Sequence, residues 1–110
     1  MIISNPTLNC PTGAFATFNG GAGNLGITDG ILLTTGTAAN AVGPNGTGSA
    51  SGGPCTSASD PDLTAIEPLA TNDVCILEFD VIPQCDILTL DYVFGSEEYP
   101  EFVGAGVNDA

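Results

Sequence analysis

The clearest alternation of apolar and polar positions runs from Val74 to Phe94. Cys75, Leu77, Phe79 and Val81 share one face of an extended segment while Glu78 and Asp80 share the other. After Pro83-Gln84-Cys85-Asp86 the pattern resumes, with Leu88, Leu90, Tyr92 and Phe94 opposing Thr89 and Asp91. A period of two with one apolar face marks a half-buried strand. The pattern therefore predicts strands from Val74 to Ile82 and from Ile87 to Phe94, joined as a hairpin. Pairing residues equidistant from the turn sets Leu77 across from Tyr92 and Phe79 across from Leu90. It also sets Glu78 across from Asp91, a like-charge pair that needs solvent or a cation to relieve it. In this register Cys75 lies opposite Phe94 and far from Cys85, so each of these cysteines is expected to reach another strand or loop.

Upstream, Ala14 to Phe18 alternates apolar and small residues before Asn19-Gly20-Gly21, a strand followed by a turn. Thr28-Asp29-Gly30 is turn chemistry, and Ile31 to Thr35 is a second short strand that Gly36 stops. Residues 36–59 then hold almost nothing large enough to bury and read as one long Gly/Ser-rich loop, which Cys55 is expected to tie down at one end. The loop carries Asn45-Gly46-Thr47, a formal glycosylation sequon that means little without the machinery to use it. Asp60-Pro61-Asp62-Leu63 places a capping carboxylate before a proline, and Pro68 closes the segment, so one short helix is expected over Asp62 to Glu67. The expected fold is all-β, a β-sandwich or jelly-roll-like module with one short helix, in a single domain over residues 1–110.

Composition narrows what such a module can do. The chain has no Lys, Arg or His against 13 Asp and Glu, a formal charge of -13. Nucleic-acid binding and attraction to an anionic membrane both need cations that are missing. Neither a Ser-His-Asp nor a Cys-His mechanism can be assembled from these residues. No apolar run approaches the roughly 18 residues of a membrane span, so direct membrane insertion is not expected, and the first ten residues lack the basic flank of a signal peptide. Unpaired carboxylates brought together by folding are screened by solvent or bound by a hard divalent cation. Oxygen donors without His suit calcium better than zinc.

The four cysteines, Cys10, Cys55, Cys75 and Cys85, form an even set without CxxC spacing. Two disulfides formed in an oxidising compartment are expected, with three pairings open, and buried free thiols are the alternative.

A resemblance rests on Asn24-Leu25-Gly26-Ile27, Gly30-Ile31-Leu32-Leu33-Thr34-Thr35-Gly36, Asp60-Pro61-Asp62-Leu63, Thr71-Asn72-Asp73, Leu77-Glu78-Phe79-Asp80, the block from Asp91 to Val103, and Asn108-Asp109. In this order they resemble the choice-of-anchor L domain, a module of large exported bacterial proteins, many from Bacteroidota. The resemblance implies an extracellular or cell-surface setting and a β-sandwich, and it names no activity. It also implies further apolar strands beyond the Asn-Asp pair, so a truncated module with an open sheet edge is expected.

The candidate site is the loop after the last strand. Glu97, Glu98, Glu101, Asn108 and Asp109 offer five oxygen-bearing side chains that can converge on one calcium, with Asp60 and Asp62 as ligands from the other side. A solvated acidic loop, with Tyr99 and Phe102 packed on the core, is the plainer reading. Glu97 and Glu98 also invite a glycosidase reading, but neighbours on an extended segment point to opposite faces and cannot both flank one bond. The expected function is a non-catalytic surface module for adhesion, recognition or assembly, binding a glycan or surface protein. The alternatives are a self-associating subunit of an extracellular filament or layer, paired through an open sheet edge, and a carbohydrate-active enzyme using carboxylates.

Overall fold

A computed structural model of the chain describes residues 1–44, 46–47, 52–53, 59–66, 72–96 and 102–106. Its strands are β1 (Ile2–Asn9), β2 (Phe15–Asn19), β3 (Asp29–Leu33) and β4 (Ile76–Ile82), and its helix is α1 (Pro61–Ile66). Short 3-10 turns lie at Gly21–Gly23 and Ala38–Val42. The strands form two antiparallel sheets, β1 with β4 and β2 with β3, so the fold is all-β with one short helix, as expected.

The β2–β3 hairpin uses both expected strands, but β3 begins at Asp29, in residues read as a turn, and ends at Leu33, before Thr34 and Thr35. Phe15 pairs with Leu33, Thr17 with Ile31 and Asn19 with Asp29, which leaves Ala16, Phe18, Gly30 and Leu32 on the more buried face. The Phe18 ring covers Gly30 so closely that an added Cβ there would stand 3.0 Å from it. Aromatic cover of this kind fills the space that glycine leaves in a strand.

The other sheet departs from the expected hairpin. β4 pairs with β1, at the start of the chain, and residues 87–94 form no ladder with the described residues. Two physical reasons favour this pairing. Residues 83–86 contain no positive-φ position of the kind a tight two-residue hairpin turn uses. β1 also offers neutral partners where the local hairpin would oppose carboxylates. Glu78 now faces Thr7 and Asp80 faces Ser4. The Thr7 hydroxyl lies 3.4 Å from Glu78 Oε2, and Asn5 Nδ2 donates to Asp80 Oδ2 at 2.7 Å.

Within β1 the register shifts by one between Ser4 and Thr7, where Asn5 adopts φ 50°. This is a bulge at Asn5-Pro6. It accommodates a proline that has no N–H for a ladder, in a segment where left-handed backbone suits Asn. The extra residue also brings Ile3, opposite Val81, and Leu8, opposite Leu77, onto one face. Strict alternation would have separated them.

The sheets meet at a corner. The next step of the β1–β4 register beyond Asn9 and Ile76 would pair residues 10 and 75, and a disulfide joins Cys10 to Cys75 there. Ala14 beside it is fully buried, and its carbonyl accepts from Thr34 N at 3.0 Å. Cys75 Sγ rests 3.5 Å from the same oxygen; having no proton, it is a packing contact. The start of the Gly-rich segment docks on this corner through Ala38 N to Gly13 O, 2.8 Å, and Thr37 N to Gly52 O, 2.7 Å. Ala14 and Ala38 are the buried apolar residues among those described.

At the crossing of residues 36–37 with 52–53 the two backbones nearly touch. A Cβ on Gly53, whose φ is 116°, would collide with Thr37 Oγ1 and stand 2.9 Å from Thr37 N. Gly53→Ala is therefore expected to cost about 1–2 kcal/mol through strain and a displaced loop. Thermal melting together with faster hydrogen exchange at the Thr37 amide would register it. An unchanged Thr37 amide would show that the crossing is not held.

Candidate functional site

Asp60 does what its sequence position promises for a helix. Its Oδ1 accepts from Asp62 N at 2.8 Å and Leu63 N at 3.0 Å, and the Thr64 N–H bonds its carbonyl at 3.0 Å. This is an N-cap followed by proline at the first helical position. Asp62 sits exposed in the first turn, where a negative charge favours the helix dipole. One oxygen of the carboxylate that sequence reasoning offered to calcium, Oδ1, thus accepts from two backbone amides. Glu97, Glu98, Glu101, Asn108 and Asp109 lie outside the described residues, as do Cys55 and Tyr99. Among the described residues no three His, Cys, Asp or Glu side chains lie close enough together to hold a metal ion. Phe102, which the plainer reading would pack on a core, is 42% exposed.

Of the cysteines, Cys10 and Cys75 are bonded and Cys85 carries a free, exposed thiol just past β4. The structure therefore departs from the expected two bridges at Cys85. In the unreduced protein, Cys85 is expected to alkylate while Cys10 and Cys75 do not.

Two features escaped the sequence. Asp73 holds φ 57°, and its Oδ1 is buried with no hydrogen-bond partner among the described residues. Nothing in the local pattern marks it, since its neighbours read as a loop. The second is an open cleft of about 610 Å³ between residues 25–28 and residues 90–93. Its lining is mostly polar, with side chains of Thr28, Asp91 and Tyr92 among it, and Leu25, Ile27, Leu90 and Val93 contribute the apolar remainder. One carboxylate, one hydroxyl and one phenol can hydrogen-bond a ligand. Among the described lining residues Asp91 is the carboxylate.

The segment that forms one wall of this cleft is unusual in itself. Leu88, Leu90, Tyr92 and Phe94 are between 61 and 77% exposed, although their alternation is that of a half-buried strand. Exposed apolar side chains also line the β1–β4 sheet at Ile3, Leu8 and Phe79.

A family model for the choice-of-anchor L domain matches residues 1–110, the whole chain, and the chain belongs to that family. No curated protein and no solved structure matches it. Membership makes the chain a surface-associated module of an exported protein, and the Cys10–Cys75 bridge fits an oxidising extracellular setting.

Proposed function

We propose that this domain is a non-catalytic module that binds at the cell surface, in adhesion, recognition or assembly, and that its ligand is a glycan or another surface protein. The observation that carries this reading is the run of exposed apolar side chains at Leu88, Leu90, Tyr92 and Phe94 beside an open cleft that Thr28, Asp91 and Tyr92 line with hydrogen-bonding groups. Aromatic and aliphatic anchors exposed next to a few hydrogen-bonding groups are what recognition surfaces use. The lack of any Lys, Arg or His supports binding over catalysis, because the commonest general base and all cationic clamps are missing from the chain. Calcium bound by Glu97, Glu98, Glu101, Asn108 and Asp109 is proposed as a stabiliser of the module.

The test is retention of the oxidised domain on arrays of glycans and of purified surface proteins, with Tyr92→Ala and Leu90→Ala as variants. Specific retention that these changes reduce tenfold or more, by the loss of roughly 1.4 kcal/mol, is the expected result. Polysaccharide hydrolysis abolished by one carboxylate substitution would overturn it in favour of an enzyme.

A second reading, a self-associating structural subunit, draws on the open edges of the two two-stranded sheets. Such edges template pairing with another chain. Concentration-dependent sedimentation of the domain alone would favour it.

A further inference from the structure

Residues 87–94 combine three properties that rarely coexist in a finished fold. They carry the period-two pattern of a strand, they make no backbone hydrogen bond to the described residues, and their apolar side chains stand in solvent. Unpaired N–H and C=O groups beside exposed Leu88, Leu90, Tyr92 and Phe94 are the two halves of a strand-addition site. Backbone bonds supply affinity and alternate side chains supply selectivity. A two-stranded sheet is only marginally stable in water, so this fold has much to gain from an added strand.

Charge decides what the added strand is. The chain is at -13 with no basic side chain of its own, and Asp86 lies just before the segment and Asp91 in its middle. A second copy brings the same charge and is repelled. A strand that alternates apolar residues with Lys or Arg covers the exposed side chains and also neutralises carboxylates that nothing in this chain can pair. We propose that residues 87–94 are the acceptor for an extended, basic polypeptide strand from a partner protein, added by backbone pairing. This rests on the recognition reading above and specifies its ligand as a protein rather than a glycan.

The full 110-residue chain is titrated with a synthetic peptide of about eight residues, one strand's length, alternating valine and lysine. The comparison peptides alternate valine with glutamate, or keep the lysines and replace alternate valines with proline. The expected result is binding of the lysine peptide with slowed hydrogen exchange at amides within 87–94. Affinity for the glutamate peptide falls by about tenfold or more at low salt, and that gap narrows as salt screens the charges.

Tyr92→Pro and Val93→Pro each delete one N–H, and neighbouring N–H groups point to opposite edges of a strand, so one of the two should abolish binding. Exchange of the β1 and β4 amides reports that both variants remain folded. Equal affinity for the three peptides, or protection outside 87–94, overturns the proposal. Protection of 87–94 that needs no peptide and grows with protein concentration and salt assigns the segment to a second copy and also overturns it. The recognition reading fails separately, if the chain hydrolyses a substrate with the proline variants fully active.

Discussion

A chain carrying both Cys10→Ser and Cys75→Ser is expected to unfold at a much lower urea concentration than the oxidised wild type, with about 4 kcal/mol of stability lost. The bridge spans a sequence separation of 65. Closing so long a loop removes much of the freedom of the unfolded chain, and the entropy recovered when the link is cut grows with the logarithm of its length. The stake is high because the buried apolar residues among those described are two alanines, so little hydrophobic burial stands behind the covalent link. Urea melts should show a lower midpoint, and also a steeper slope as the unlinked chain exposes more surface on unfolding. Cys85→Ser, at a free and exposed thiol, should leave the midpoint unchanged. Equal midpoints for the double variant and the wild type would mean that the corner holds without its bridge.

Calcium is expected to raise the melting temperature by on the order of ten degrees. At a free concentration about a hundred times its dissociation constant, an ion that binds only the folded state adds roughly 2.7 kcal/mol, and small domains shift by several degrees per kcal/mol. The motive is the density of carboxylates after Ser96, where Glu97, Glu98, Glu101 and Asp109 follow within fourteen residues and no basic side chain exists to meet them. Screening by sodium chloride acts weakly and without preference for ion type. The comparison is therefore calcium against chelator against sodium chloride of matched ionic strength, repeated with Glu98→Gln and Asp109→Asn. Identical melting in calcium and in matched salt would reject the site.

The parts of the fold that the sequence made legible are those whose signals are local. Phe15 to Phe18 and Ile31 to Leu33 alternate between clear turn residues, and they pair with each other across a short connection. Asp60-Pro61 announces α1 because a cap and a fixed φ are properties of adjacent residues. β1 stayed hidden because Asn5-Pro6 breaks its period of two, and a proline in a short polar run resembles a loop until the bulge is known. Its pairing with β4 was hidden for a different reason. Strands adjacent in sequence are usually neighbours in space, and the local hairpin gave every apolar residue a partner at the cost of facing Glu78 with Asp91. The pairing of Cys10 with Cys75 followed only once that register was visible. At the candidate site the same residue served two readings. A carboxylate before a proline is equally a helix cap and a ligand, and at Asp60 two backbone amides hold Oδ1.

The position of the disulfide has a mechanical consequence. Ile2 pairs with Ile82 at one end of the β1–β4 sheet, and the bridge closes the other end beyond Asn9 and Ile76. Tension applied through the chain on either side of this sheet therefore pulls both strands from the same end. The ladder opens like a zipper, one pair after another, at low force, and the opening stops at a covalent bond. Everything between Cys10 and Cys75, including the β2–β3 hairpin and α1, lies inside the loop and carries no load. At roughly 3.3–3.6 Å per extended residue, the bridge withholds on the order of 200 Å of slack from any cell that tugs on its surface, and the shielded hairpin keeps its shape while the strands outside it yield.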